Sequence, residues 1–176
     1  MESRPHVALI GMMGSGKSTA GFWLAQSEGL RFVDLDAAIE KRQGRSIPEI
    51  FKADGEDRFR DMEQLELMAC LASPQPLVVS CGGGAVLRAE NRELLRDRSW
   101  VCWLRATVET LGQRVGAGEN RPLLGEDPVV DLEAISAARA GLYAEAANEI
   151  VDVDGLEAEQ VAEQIRRVWP RPVSAR

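Results

Sequence analysis

"GMMGSGKST", residues 11–19, decides the fold. It contains the pattern G-x-x-x-x-G-K-[ST], running from Gly11 to Ser18. The apolar run "HVALIG" at 6–11 reads as a buried parallel strand ending in glycine. "KSTAGFWLAQSEG" follows as a helix ending at Gly29. Strand, glycine loop and helix in that order are the context a phosphate-binding loop requires. Its glycines let the backbone turn tightly, so that N–H groups converge on phosphate oxygens. The helix N-terminus adds partial positive charge. Lys17 reaches the β- and γ-phosphates, and the Ser18 hydroxyl can ligate Mg²⁺. The expected nucleotide contacts are Gly14, Ser15, Gly16, Lys17, Ser18 and Thr19. Nucleoside triphosphate binding follows from this, but the acceptor does not. GTPases, transport ATPases and small-molecule kinases share the loop.

Outward from the loop, strands and helices alternate. "RFVDLD" at 31–36 is a second strand, and "DAAIEKRQG" a short helix stopped by Gly44. "SIPE" at 46–49 is a capping box, with Ser46 as N-cap and Glu49 reaching back. The helices after it run to about Leu71 and break near Gly55. "PLVVSCGGG" at 76–84, "WVCWLR" at 100–105 and "EIVDVDG" supply three further strands. Helices fall at "RAENRELLRDR", "TVETLGQRV", "VVDLEAISAARAGLYAEAA" and "LEAEQVAEQIRRVW". Five strands alternating with helices predict a mostly parallel sheet covered on both faces, in a single α/β domain with its core over 6–169. "GAGENRPLLGEDP" at 116–128 has the glycine and proline content of a mobile lid. The tail 170–176 is expected to fray.

A chain of 176 residues suffices for one sizeable core. Its net charge of −7 argues against a broad surface for nucleic acid or anionic membrane, yet leaves room for a small anion among a few convergent cations. Cys70, Cys81 and Cys102 lack CxxC spacing and sit in or beside apolar runs, as buried thiols in a reducing cytosol would. No apolar run reaches the ~18 residues of a membrane span. "MESRP" leaves no room for a signal or transit peptide before the first strand. His6, the sole histidine, is assigned to packing.

Two patterns locate the rest of a site. The third strand, "LVVSC", lacks the terminal aspartate of a Walker B strand, whereas Asp34 and Asp36 close the second. Residues two apart on a strand share a face, so both carboxylates are expected in the cleft, near Mg²⁺ and the phosphoryl acceptor. A solvated strand end with Asp36 capping the next helix fits the same letters. "GEDRFRDME" at 55–63 sets Arg58 and Arg60 among acids. Glu56 and Glu63, four before and three after Arg60, are its helical neighbours. An inward anion ligand and a solvated pair with Glu56 are both compatible with that spacing. Arg58 points to another face and reads as a surface charge.

Taken in order, "GMMGSGKST", "DLDAAIE", "GRSIPEIFKADGEDRFRDME", "CGGGAV", "NRPLL" and "ARAGLYAEAA" resemble the shikimate kinases, over residues 6 to about 165. The resemblance implies a three-layer, nucleoside-monophosphate-kinase-like P-loop fold with sheet order 2-3-1-4-5. It implies transfer of the ATP γ-phosphoryl group to the 3-hydroxyl of shikimate, on the way to chorismate. Asp36 would then bind ring hydroxyls and act as base, and Asp34 would support Mg²⁺ through water. Arg60 and Arg139 would hold the shikimate carboxylate, with Glu63 orienting Arg60. Gly82, Gly83 and Gly84 would bring backbone against the ring. Helices over about 37–72 would bind substrate. Arg121 would come from the lid and join Lys17 in catalysis. Arg114 and "VDVDG" at 151–155 would adjoin adenine. ATP and shikimate would be the partners, with no nucleic acid or membrane, and the protein would be a cytoplasmic monomer. A gluconate kinase would share the loop and general fold but has no use for the Arg60–Arg139 pair. A silent ATP-binding module would not need every catalytic position filled.

Overall fold

The computed structural model describes residues 6–115 and 128–170. Five strands make one parallel sheet in the order β2-β3-β1-β4-β5, the expected order. They are β1 (His6–Ile10), β2 (Arg31–Asp34), β3 (Leu77–Ser80), β4 (Ser99–Arg105) and β5 (Glu149–Asp152). Seven helices surround them in the described residues: α1 (Lys17–Glu28), α2 (Leu35–Gln43), α3 (Ile47–Leu71), α4 (Ala89–Arg98), α5 (Val108–Val115), α6 (Pro128–Ala146) and α7 (Ala158–Val168).

The three central strands, β1, β3 and β4, are buried on both faces because helices cover both. Alternation along β1 divides the core. Val7 and Leu9 pack with Leu24 of α1 and Ile165 of α7. Ala8 and Ile10 pack with Leu67, Leu95, Leu111 and Tyr143, from α3, α4, α5 and α6. Trp100 and Trp103, three apart on β4, accordingly serve opposite faces. β1 lies between β3 and β4 and pairs in parallel with both, which opens a crevice at its carboxyl end. The glycine loop fills that crevice.

Two elements differ in their limits from the sequence reading. β2 stops at Asp34, so Asp36 lies in the first turn of α2 and not on a strand. The cap is Asp34, whose carboxylate accepts the Ala37 N–H at 3.1 Å. That local bond ends the strand two residues early, as short acidic side chains do when they compete for backbone donors. The capping box of Ser46 and Glu49 is present at the start of α3. Gly55 breaks the helical path as expected, with φ 81° and ψ 172°, a region open almost only to glycine. The second half of α3 is thereby aimed separately from the first. The expected lid over 116–128, all but its last residue, and the tail from 171 lie outside the described residues. Among the described residues, no helix is long and apolar enough to cross a membrane.

Candidate active site

Lys17 opens α1, and Gly16 caps that helix in a left-handed conformation. The Lys17 ammonium is buried and donates to the Met12 carbonyl at 2.9 Å, which draws it back across the loop. The Ser18 hydroxyl donates to Asp34 and lies 3.2 Å from the Ser80 hydroxyl. Strand register explains this trio: Asp34 pairs with Ser80 across β2 and β3. The carboxylate missing from the end of β3 is thus supplied by the adjacent strand. Gly14, Gly16, Lys17, Ser18, Thr19, Asp34, Asp36 and Arg114 line one cleft of about 370 Å³. Ser15 is buried in the loop and borders a smaller cleft with Arg114 and Leu156. Arg114 donates to the carbonyls of Val153 and Leu156 at 3.3 and 3.2 Å, so it and the segment after β5 form one wall. Both expected adenine contacts therefore meet beside the phosphate loop.

A second cleft of about 400 Å³ adjoins the first, and Met13, Asp36, Gly82 and Gly83 belong to both. Arg60, Glu63 and Arg139 line it, all three buried. Arg60 donates to Glu63 at 2.8 Å and to Glu56 at 3.0 Å. The two sequence alternatives for Arg60 thus coexist: it pairs with Glu56, and it also faces inward. Burial opposes its charge, but the Glu63 and Glu56 carboxylates outweigh that and hold its pKa above the usual value. Arg58 is exposed, with Asp61 3.6 Å away, as a surface charge should be.

Gly82 and Gly84 are there for space. A methyl group on Gly82 would sit 2.5 Å from Glu63 Oε1 and 2.9 Å from Asp36 Oδ1. One on Gly84 would overlap the Arg60 guanidinium. Gly83 lies against Met13 and Arg139.

Among the described residues, three buried polar atoms in this cleft have no partner: Asp36 Oδ1, Glu63 Oε1 and Arg139 Nη1. Orphaned groups of this kind are costly unless a ligand satisfies them. Burial pushes the Asp36 carboxyl above the usual carboxylate range, and the charge of Asp34 adds to this against Lys17 and Arg60. Burial also raises Glu63, although Arg60 opposes it. An acid beside two cations, with unpaired acceptors and a donor, matches a small anionic polyol.

Sequence reasoning missed several contributors. Met13 bridges the clefts, Ser80 completes the Ser18–Asp34 group, and Phe51 packs at 4.8 Å on Phe59 to give the second cleft an apolar wall. Only Met13, inside the glycine motif, carried a local signal. Cys81 is buried beside the phosphate cleft, and burial raises its pKa strongly, so packing is its role. α4 is tied to α6 through its arginines, since Arg92 and Arg96 both reach Glu145 of α6. Arg121 lies outside the described residues.

A phosphate loop at the crevice of a parallel sheet, sharing an aspartate with a second cleft lined by paired arginines, defines a P-loop kinase of a small anionic acceptor. The family model for shikimate kinase matches residues 13–169, and the chain belongs to that family of ATP-dependent alcohol phosphotransferases. It is 44% identical to the shikimate kinase of Symbiobacterium thermophilum, over 91% of this chain and 93% of that one. With the shikimate kinase of Bordetella pertussis it shares 40% identity, over 95% of this chain and 79% of the other. The structure of the shikimate kinase from Acinetobacter baumannii in complex with shikimate superposes with a TM-score of 0.90 at 37% identity, covering 94% and 93% of the two chains. A gluconokinase from Sinorhizobium meliloti, at 20% identity and a TM-score of 0.53, shares the fold alone.

Proposed function

We propose that this protein transfers the γ-phosphoryl group of ATP to the 3-hydroxyl of shikimate, releasing shikimate 3-phosphate and ADP. The observation that carries the reading is the shared wall. Asp36, Gly82 and Gly83 border both the nucleotide cleft and the cleft that holds Arg60, Glu63 and Arg139. A phosphoryl group bound on one side needs no carrier to reach a hydroxyl bound on the other.

Arg60 and Arg139, from different helices, grip the shikimate carboxylate through parallel guanidinium hydrogen bonds and fix the ring's orientation. Glu63 holds Arg60 in place. Asp36 then faces one ring hydroxyl. As that oxygen attacks the γ-phosphorus, its proton passes to the Asp36 carboxylate. The bond from γ-phosphorus to the bridging oxygen breaks, and ADP leaves with the electron pair. An aspartate whose pKa burial has raised is a better base than a solvated one. Lys17 meets the charge spread over the transferred oxygens, and Arg121 is assigned the same task.

Mg²⁺ fits the hard oxygen donors of Ser18 and Asp34, which together with phosphate and water suit a cation that keeps much of its hydration. Bound there, it would neutralise phosphate charge. Among the described residues no cluster of three or more His, Cys, Asp or Glu forms a metal cage, as this mode of binding requires none. The reading includes a monomer acting in the cytosol, a compartment that suits three unpaired thiols.

The test is ADP release from Mg·ATP with shikimate, with gluconate, and with neither. Release that depends on shikimate is expected. Equal or greater stimulation by gluconate would overturn the acceptor assignment.

A further inference from the structure

Tyr143 is the only tyrosine in the chain, and the chemistry above does not use it. It lies on α6, one turn beyond Arg139, and is 1% exposed. Its hydroxyl donates to the Gly83 carbonyl at 2.6 Å. The Arg139 guanidinium, one turn back on the same helix, interacts electrostatically with the same phenol and opposes the rise in its pKa. The ring stacks on Trp103 of β4 at 5.5 Å between centroids. Tyr143 therefore joins three parts of the molecule: the sheet, the glycine turn and the arginine of α6. A phenol is suited to this because one oxygen can donate and accept at once.

Rotamer freedom makes the link useful. A long arginine side chain loses roughly 2 kcal/mol of conformational freedom when it is held in one place. The buried Arg139 Nη1 has no partner among the described residues and lies 3.6 Å from where a Gly83 side chain would begin. The phenol interacts with the guanidinium from one side while this nitrogen faces the glycine turn. The same phenol fixes the Gly83 carbonyl, so the glycine turn and the arginine are set by one atom.

We propose that Tyr143 is a positioning residue for the acceptor site, holding Arg139 and the Gly83 backbone in the geometry that receives the acceptor carboxylate. The inference rests on the shikimate reading for the identity of that acceptor. Burial pushes the phenol pKa up to about 12, so the hydroxyl stays protonated and keeps donating through the working pH range.

The experiment is a double-mutant cycle on full-length protein, with shikimate Kd from calorimetry and the steady-state constants alongside. Tyr143→Phe keeps the ring and its stack but removes the oxygen. It should weaken shikimate binding by up to about tenfold, the loss expected for a buried hydrogen bond. Affinity for ATP should change less than twofold, and kcat less than threefold. In an Arg139→Lys background, Tyr143→Phe should have almost no further effect on shikimate Kd, because the phenol acts through the guanidinium. Trp103→Phe is the control for the stack, and should lower the melting temperature with little change in shikimate Kd. An unchanged shikimate Kd in Tyr143→Phe overturns the inference. So do full additivity with Arg139→Lys, or an equal loss of affinity in Trp103→Phe. Wild-type protein that neither binds nor phosphorylates shikimate overturns the acceptor reading first, and the inference with it.

Discussion

Gly84 and Arg60 compete for one space. Gly84 has φ −98° and ψ 1°, which alanine tolerates, so a substitution there strains no backbone. Its methyl group would instead displace the Arg60 guanidinium. Gly84→Ala should fold normally and retain ATP binding, yet raise the KM for shikimate by about 10- to 100-fold, the loss of a charge-assisted hydrogen bond. Steady-state kinetics with each substrate varied in turn checks it, and equal losses for both substrates would contradict it. Asp36 gives a second prediction at this scale. Its pKa is raised in the fold, so the protonated form is favoured there. The stability this provides is full below the unfolded pKa and is lost as pH rises through the folded one. At neutral pH the ionised carboxylate is therefore a cost of folding. Asp36→Asn should raise the melting temperature at pH 7 while lowering kcat by about 10²- to 10⁴-fold. Wild-type activity should fall on the acid side as pH drops through that raised pKa, because the base must be ionised.

At the scale of elements, the legible and the hidden separate by whether a signal is local. The glycine loop, the capping box of Ser46 and the break at Gly55 are written in adjacent residues, and each stands where the letters put it. The end of β2 was misread because periodicity cannot tell a final strand residue from a helix cap. Asp34 satisfies both patterns until its carboxylate is seen on the Ala37 N–H. Ser80 and Tyr143 were invisible for a different reason. Their partners, Ser18 and Gly83, are about sixty residues away in sequence and are brought near only by the register of the sheet and the docking of α6. Arg60, Glu63 and Arg139 were found through resemblance to a family, since spacing alone left Arg60 with two readings. Gly55 carries the prediction proper to this scale. No described residue lies within 4 Å of a methyl group built on it, so the effect expected of Gly55→Ala is backbone strain. That strain is about 1–3 kcal/mol, or roughly 2–10 °C in melting temperature for a chain of this size. Relief would require straightening α3, which carries Phe51 on one side of the kink and Arg60 on the other. Calorimetric melting and the two substrate affinities should show lower stability and weakened shikimate binding, with ATP binding nearly unchanged.

For the molecule as a whole, pH sets opposing titrations against one another. Surface carboxylates paired with arginine are held below their usual range, as with Asp61 beside Arg88, Glu145 beside Arg92, and Glu163, lowered to about 2 beside Arg166. They favour the fold at neutral pH. Asp36 and Glu63, raised by burial, act the other way. His6 titrates at higher pH than any of these carboxylates would in the unfolded chain. It is 1% exposed at the start of β1, and burial lowers its pKa although the carbonyls of Leu71 and Ser73 hold it from the other side and Arg98 adds a small push downward. A depressed histidine favours the neutral form in the fold. Its stabilising effect is present above the unfolded pKa of about 6.5 and is lost as pH falls from there towards the folded value. Stability measured by urea unfolding should therefore decline between pH 7 and pH 5. His6→Gln, of similar size and without a titrating group, separates this term from the carboxylates, which are common to both proteins. The wild type should lose more stability than the variant over that interval. Parallel slopes for the two proteins would show that His6 carries no proton linkage, and that acid sensitivity begins instead with the arginine-paired surface carboxylates Asp61, Glu145 and Glu163.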